Sequence, residues 1–277
     1  MVEHFDPMTK TIISLTAIPP RFPHIGETLT SLLKQGSDIA AIELWLPRSY
    51  RRFAFDVDRD LPKVPAGVQI HIADHDYGPA TKVLPSALRH RGEDVNILFC
   101  DDDKVYDPNW VARLVGAAKS RPGCCIVEEG SDVFECSDVA FQGKIQPRYP
   151  RRRKTLLYRL KRAASLGRWK SRKAEGSGYA DILEGWGGVL VRPEFFGDEV
   201  FDIPDPLWMV DDIWLSGHLT VRNVPIWLHY GGPRVAGAKE EVSAAALRKQ
   251  TVRGMDRKAL NSACVRHYQE HYGIWRP

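Results

Sequence analysis

A chain of 277 residues is long enough for one sizeable hydrophobic core, and its 43% hydrophobic residues exclude a disordered protein. No run approaches the roughly 20 apolar residues that a membrane-spanning helix needs, and residues 1–10 lack the apolar segment of a secretory signal. The net charge is +4. The five cysteines match no paired metal-binding motif, so we expect free thiols in a reducing compartment. We therefore expect a cytoplasmic protein, soluble or at most peripheral on the inner face of the membrane.

The first half of the chain alternates strands with helices, the pattern of βαβ units around a mostly parallel sheet. Short apolar or β-branched runs predict strands at 11–15, 42–46, 68–72 and 95–100. Helices are predicted from the apolar spacing of residues 25, 29, 32 and 33, over residues 80–91, and from Asp107-Pro108 onward, where an N-cap precedes a proline. No G-x-G-x-x-G sequence is present, which argues against a dinucleotide site.

The second half is less regular. It contains a glycine-rich loop at 185–188, a predicted strand at 189–191, a helix beginning near Asp211 and a last strand at 226–229. Residues 243–272 are predicted to form two helices that are separated near Gly254.

Three adjacent aspartates, Asp101, Asp102 and Asp103, directly follow the predicted strand at 95–100. Neighbouring carboxylates repel one another, so this tripeptide is costly without a cation. The carboxyl ends of parallel strands are where α/β sheets bind ligands, and one or two carboxylates with substrate phosphates typically hold a hard divalent ion. The tripeptide therefore predicts a site for Mn²⁺ or Mg²⁺, and its plain alternative is a solvated acidic turn.

A second loop is expected at the same edge of the sheet. Residues 76–82 follow the predicted strand at 68–72 and run through a Gly-Pro turn into a helix, with Lys82 about one turn in. Free N–H groups at a helix N-terminus attract phosphate, and Lys82 adds a point charge for a diphosphate. The alternative is an ordinary junction between a loop and a helix.

Four segments, in their order along the chain, resemble the GT-A glycosyltransferases, specifically bacterial enzymes similar to the family 2 type. Asp101 to Asp103 is similar to the Asp-x-Asp motif, and residues 182–188 resemble the glycine-rich loop beside the donor sugar and the acceptor. Val210-Asp211-Asp212 resembles the x-Glu-Asp motif, and His229 resembles a C-terminal metal-binding histidine. The resemblance covers about Thr11 to His229, apart from a basic segment.

This resemblance implies an α/β fold of the GT-A (Rossmann-like) type, with a mostly parallel central sheet flanked by helices, a basic insertion and C-terminal helices. One domain would cover residues 1–277. Within it, the nucleotide-sugar-binding half would span 10–127, the basic insertion 148–173, and the acceptor-side half with the C-terminal helices 180–277.

The resemblance also implies roles for individual residues. The metal would be held by Asp103 and His229, the acceptor would be bound by Glu184, Gly185 and Trp186, and the general base would be Asp212 or Asp211. The base stays open between these two because Asp211 stands where the family usually has Glu. The donor-binding residues would be Thr16, Ala17, Ile18, Arg21, Asp76, Tyr77, Lys82, Asp101, Asp102, Gly187 and Gly188. Taken singly, each has a plain alternative: a first-turn acid, a tight turn, a packed aromatic ring or a hydrogen-bonded histidine.

These roles predict a metal-dependent transferase that moves a sugar from a nucleoside diphosphate to a saccharide or lipid-linked glycan, with inversion at the anomeric carbon. UDP is the expected nucleotide because it is the commonest in the resembling family. Two other classes stay open. They are a metal-dependent nucleotidyltransferase or phosphohydrolase, and a non-catalytic polyanion-binding protein.

The basic segment from Arg148 to Lys173 has twelve Lys or Arg and no Asp or Glu, which leaves the rest of the chain with a net charge of −8. Leucine, tyrosine and tryptophan interleave with the cations, a composition typical of interfacial helices on anionic membranes. A phosphorylated or lipid-linked acceptor is a second option, and nucleic acid is the least expected partner. The alternative is a solvated insertion.

Overall fold

An eight-stranded β-sheet forms the centre of the computed structural model, which describes residues 9–36, 39–152, 158, 160, 163–164, 171–238 and 254–276. The strands are β1 Lys10–Thr16, β2 Ile39–Pro47, β3 Val68–Ala73, β4 Val95–Cys100, β5 Lys104–Val105, β6 Cys125–Val127, β7 Gly130–Ser131, β8 Gly178–Ala180, β9 Ile182–Leu183, β10 Val189–Val191, β11 Ile226–Leu228 and β12 Ala236–Gly237. The helices are α1 Gly26–Leu33, α2 Leu84–Arg89, α3 Trp110–Ser120, α4 Val133–Cys136, α5 Asp211–Val221 and α6 Arg257–His271.

The main sheet has the strand order β3-β2-β1-β4-β10-β6-β11-β8, and two short ribbons, β5 with β12 and β7 with β9, stand beside it. Strands β3, β2, β1 and β4 are parallel neighbours, and β6 and β11 form a second parallel pair. Only β10 and β8 run against their neighbours. The predicted α/β fold with a mostly parallel central sheet is therefore confirmed. The predicted division into two halves stays a prediction, and strands from both halves share this sheet.

Helices cover both faces of the sheet, which explains why its central strands are apolar throughout. In β4, Ile97 and Phe99 face α2, α5 and α6, whereas Leu98 and Cys100 face α1 and α3. Successive side chains of a strand point to opposite faces, so a strand that is covered on both sides needs a continuous hydrophobic run. All six residues of β4 are buried.

The structure corrects two predicted helices. The run at 80–91 is a 3-10 helix, Gly78–Lys82, followed by the short helix α2, because Pro85 cannot donate a backbone hydrogen bond to the preceding turn. Helix α3 begins at Trp110 rather than at Asp107, whose carboxylate accepts the Asn109 N–H at 3.1 Å. The strands β6 and β8 escape prediction, because three residues are too few to show a period. The first predicted C-terminal helix, at 243–253, lies outside the described residues.

The basic insertion predicted at 148–173 lies partly outside the described residues. Its described cations all have a carboxylate partner: Arg148 pairs with Asp181 at 2.8 Å and with Asp132, Arg151 with Asp132 at 2.7 Å, Arg152 with Glu175 at 3.5 Å, Arg172 with Glu129 at 3.1 Å, and Lys173 with Glu184 at 2.6 Å. The two ends of the segment are thus attached to the acidic body. The other seven cations of the segment lie at residues that the structure does not describe.

None of the helices that the structure describes is long and apolar enough to cross a membrane. All five cysteines are free thiols, and Cys100, Cys125 and Cys264 are buried.

The contact between α5 and α6 generates a test of the fold. A Cβ atom added to Gly217 would lie 2.2 Å from ring atoms of Tyr268, and this buried ring is held by a 2.6 Å hydrogen bond to the Trp214 carbonyl. We expect Gly217→Ala to lower the free energy of unfolding by about 2 kcal/mol in a denaturant titration, because the overpacked ring cannot withdraw.

The matched control is Gly116→Ala in α3, where an added Cβ meets nothing within 4 Å. That variant should raise the free energy of unfolding by about 0.5–1 kcal/mol through helix propensity alone. Equal effects of the two substitutions would show that the α5–α6 contact is not as close as described.

Candidate active site

A cavity of about 710 Å³ lies at the edge of the sheet where the carboxyl ends of the parallel strands meet. This is where ligands bind in open α/β sheets, because the loops that follow several strands converge there. The predicted site residues that line the cavity are Thr16, Ala17, Ile18, Arg21, Asp76, Lys82, Asp101, Asp102, Asp103, Glu184, Trp186, Asp211 and Asp212. One cavity therefore brings together side chains that are almost 200 residues apart in sequence.

The antiparallel direction of β10 explains why the glycine-rich loop is part of this site. Since β10 runs against β4, its amino end lies at the edge where β4 ends, and residues 185–188 lead directly into it. Within the loop, the Trp186 Nε1 donates to Glu184 at 2.8 Å, and the Gly185 N–H donates to the Asp212 carboxylate at 3.0 Å. The loop thus contacts the first turn of α5.

Lys82 lies at the centre of the acidic side chains. Its ammonium is 2.8 Å from Asp101 and 2.8 Å from Asp211, and only 5% of its side chain is exposed. Burial alone would lower the pKa of Lys82, but these two aspartates and Asp212 raise it well above its ordinary value. The ammonium is therefore a permanent positive charge that joins the tripeptide after β4 to the start of α5.

Each aspartate of the tripeptide contacts a cation. Asp101 pairs with Lys82, Asp102 with Arg21, and Asp103 with Lys104 and, at 3.3 Å, with Arg21. Burial alone would raise the pKa of Asp101, but Lys82 outweighs it and lowers the pKa. At Asp102 the effect of burial is larger than the opposing effect of Arg21, so the pKa of Asp102 is raised to about 6. The three carboxylates are thus in different electrostatic environments.

The carboxylates of the cavity fit a divalent cation in ligand chemistry. Five aspartates, at 101–103, 211 and 212, line the cavity, and four of them contact Arg21, Lys82 or Lys104. One oxygen of Asp102 is buried without a hydrogen-bond partner. Carboxylate oxygens are the ligands that a hard divalent ion prefers. In the described part of the chain no three His, Cys, Asp or Glu side chains converge on one position. Mg²⁺ is usually held by only one or two carboxylates, with substrate phosphates and waters completing its coordination.

The two aspartates that open α5 have different surroundings. Asp211 is 4% exposed and pairs with Lys82. Asp212 is half-buried, and burial together with Asp211 raises its pKa to about 7. A carboxylate with this pKa can accept a proton near neutral pH, whereas Asp211 is committed to the lysine.

Other predicted residues reach the cavity but have structural bonds as well. The carboxylate of Asp76 accepts the N–H groups of Gly78 and Arg51, both at 2.8 Å, and so shapes its own loop. The Thr16 hydroxyl donates to the Trp45 carbonyl at 2.7 Å.

Five predicted residues do not line the cavity: Tyr77, Gly185, Gly187, Gly188 and His229. Gly185, predicted to bind the acceptor, instead donates its N–H to Asp212, and a Cβ there would lie 2.3 Å from the Lys82 Nζ. Tyr77 packs edge-on against Phe201, and Cβ atoms at Gly187 and Gly188 would collide with Glu129 and Trp110, so both glycines are needed for packing. His229 follows β11, three strand spacings or about 14 Å from β4. The geometry therefore gives no support to donor contacts by Tyr77, Gly187 and Gly188 or to a metal bond by His229.

Sequence reasoning missed several residues that line the cavity: Tyr50, Arg52, Phe53, Lys104, Trp208, Arg234 and Arg257. Tyr50 and Phe53 follow the carboxyl end of β2, and the Tyr50 hydroxyl donates to the Ala17 carbonyl at 2.7 Å. Their position after a predicted strand was a usable signal. Arg234 and Arg257 belong to late segments whose folding back over the sheet no local pattern shows.

No protein-family model and no curated protein matches the chain. Among solved structures, the chain is similar to one described as the crystal structure of GalNAc-T7 with UDP, GalNAc and Mn²⁺, with 13% identity and a TM-score of 0.43. The similarity covers 80% of this chain and 42% of that one, so the chain spans less than half of that protein's length. A similarity of this size does not assign an activity.

The position of Lys82 generates a prediction about stability. Replacing Lys82 with Met would remove the ammonium that pairs with both Asp101 and Asp211. We expect Lys82→Met to lower the free energy of unfolding by about 3 kcal/mol at pH 8, measured by denaturant titration, because one partner of a buried ion pair is removed.

Lys173→Met is the matched control, since Lys173 lines the same cavity but is 55% exposed and, among the described residues, forms its ion pair with Glu184 alone. Loss of this surface pair should cost at most about 1 kcal/mol. Equal losses for the two variants would contradict a central role for the Lys82 ammonium.

Proposed function

We propose that this protein is a GT-A glycosyltransferase that moves a sugar from a nucleoside diphosphate, with UDP as the nucleotide, to a saccharide or lipid-linked glycan. The observation that carries the proposal is the cavity lined by the aspartate tripeptide, by Trp186 of the glycine-rich loop and by the aspartate pair of α5. Each motif alone has a plain structural explanation. Their convergence at the carboxyl edge of a parallel sheet is what a donor and an acceptor require.

The donor would lie across the loops that follow β1, β2 and β4. Residues 16–18, Tyr50 and Phe53 form the part of the wall that suits a nucleobase, since aromatic rings and apolar backbone accommodate its flat face. The diphosphate would then reach the tripeptide, where Arg234 and Lys104 also line the cavity. Their positive charges favour a leaving group whose negative charge grows as the bond to the sugar breaks.

Asp103 and Asp101 are the residues that would hold Mn²⁺ or Mg²⁺, because alternate residues after a strand can face one ligand. The bound ion would supply neutralising charge to the diphosphate. Asp102 contributes differently, because its contact with Arg21 fixes the loop after β1 against the tripeptide. Lys82 holds Asp101 and Asp211 in place rather than extending to the phosphate as a free side chain.

Asp212 is the residue that we assign as general base. Its Oδ1 accepts the Gly185 N–H, and its raised pKa suits removal of a proton from an acceptor hydroxyl at neutral pH. Attack by that hydroxyl opposite the diphosphate would invert the anomeric centre. The acceptor would be placed by Glu184 and Trp186, which line the cavity beside Asp212.

Both other classes are less well supported. If the protein were a nucleotidyltransferase or phosphohydrolase, the tripeptide would have a role in its reaction. The position of Asp212 beside the glycine-rich loop would then have no function. A purely polyanion-binding protein is weakened because the described cations of the basic segment pair with carboxylates of the body.

Thermal unfolding with UDP-, GDP- and CMP-sugars, with and without Mn²⁺, tests the proposal. We expect one UDP-sugar to stabilise the protein only with Mn²⁺, and Asp103→Asn to lose that stabilisation. Asp212→Asn should keep it but lose at least about 100-fold in transfer rate, because the base is removed while the metal site remains. Asp58→Asn, on an exposed loop, is the matched control.

Stabilisation by free nucleotides regardless of sugar would favour phosphoryl chemistry, and indifference to every nucleotide would favour polyanion binding. A product with retained configuration would contradict the role of Asp212.

We also propose that the basic segment at 148–173 brings the enzyme to an anionic membrane surface on the cytoplasmic side, close to a lipid-linked acceptor. Its composition supports this, and the seven cations outside the described residues would make the contact. We expect salt-sensitive co-sedimentation with anionic liposomes that is lost when residues 153–170 are deleted. No binding at low salt would contradict this role.

A further inference from the structure

Three arginines that line the cavity, Arg52, Arg234 and Arg257, differ from its other cations. Arg21, Lys82, Lys104 and Lys173 each pair with a carboxylate. Within the described ranges, none of the three arginines has a carboxylate at ion-pair distance. A guanidinium has five N–H donors in a planar fork, which matches the two oxygens of a carboxylate or a phosphate.

Two of these arginines meet at one residue. The Arg257 Nη1 donates to the Met209 carbonyl at 2.8 Å, and the Arg52 Nη1 lies 3.9 Å from the Met209 sulfur. Met209 is two residues before Asp211, so the pair lies next to the first turn of α5. Arg257 is near enough to Asp212 to lower that carboxylate's pKa, although burial and Asp211 raise it more.

The third arginine lies elsewhere, on the side of the tripeptide. Arg234 stands over the Trp186 ring at 5.7 Å, and it precedes β12, which pairs with β5 directly after Asp103. A diphosphate bound beside the tripeptide would therefore lie near the positive charges of Arg234 and Lys104. Arg52 and Arg257, by contrast, both contact Met209 and therefore lie near Asp211 and Asp212 at the start of α5.

We propose that Arg52 and Arg257 form a subsite for a carboxylate or phosphate group on a sugar substrate. This inference rests on the proposed function, because it uses the position of Asp212 to define the acceptor side. The anionic group belongs either to the acceptor or to the transferred sugar. In both cases a neutral sugar leaves the two guanidinium groups without an anionic partner among the described residues.

Calorimetric titration with simple probes tests this inference. Glucose 6-phosphate should bind at least about tenfold more tightly than glucose, both to the protein alone and to the protein saturated with UDP and Mn²⁺. Arg257→Gln and Arg52→Gln should each remove most of that difference. Arg52 is an exposed loop residue, so its variant is expected to fold even if Arg257→Gln proves unstable. Lys258→Gln removes the same charge one residue further along α6 and should change nothing.

A second arm identifies the source of the anion. If the transferred sugar carries it, UDP-glucuronate should bind at least about tenfold more tightly than UDP-glucose, and this preference should vanish in Arg257→Gln and Arg52→Gln. If the acceptor carries it, the two donors should bind alike while glucose 6-phosphate retains its advantage over glucose.

The inference is overturned if neither anionic probe is preferred to its neutral counterpart, or if the preference survives both arginine substitutions. Failure of the proposed function looks different: UDP with Mn²⁺ would then not bind at all, whereas the comparison of glucose 6-phosphate with glucose needs no nucleotide.

Discussion

The site depends on one buried ammonium group. Lys82 comes from the loop after β3, and it holds Asp101, which follows β4, and Asp211, which opens α5. Two carboxylates in a buried position would repel each other and raise their own pKa values, and the lysine replaces that repulsion by two ion pairs. The close approach also needs a glycine, since a Cβ at Gly185 would lie 2.3 Å from the Lys82 Nζ. The first and second halves of the chain thereby meet in one fixed geometry.

Charge in the cavity is separated along its length. Five aspartates are grouped at the tripeptide and at the start of α5, and their oxygens are suitable ligands for a divalent cation. Arginines without a carboxylate partner among the described residues stand on both sides of these aspartates, Arg234 near the tripeptide and Arg52 with Arg257 near Met209. A cation between two anion-binding regions is the arrangement that a nucleoside diphosphate and a sugar acceptor would use together.

Much of this architecture could be predicted because strands that are covered on both faces must be apolar throughout. Val95–Cys100 satisfies that condition, and its position fixes the tripeptide at the sheet edge. The break at Val83 could also be predicted, since Pro85 has no N–H to continue a helix from the preceding turn, but the prediction of one helix over 80–91 ignores it. The separation of His229 from Asp103 is not readable, because it follows from the insertion of β10 and β6 between β4 and β11. The position of Arg257 could not be predicted from the sequence either, since only the packing of α6 on α5 brings it to the cavity.

Binding of a divalent cation by Asp101 and Asp103, together with a diphosphate, is the proposal on which the assigned chemistry depends. The most direct measurement is a crystal structure of the protein with UDP and manganese, with anomalous scattering recorded to locate the metal. We expect one anomalous peak between the Asp103 carboxylate and the diphosphate, with Lys82 still joining Asp101 to Asp211. Nucleotide bound away from the carboxyl edge of the sheet, or a carboxyl edge with no manganese, would contradict this proposal.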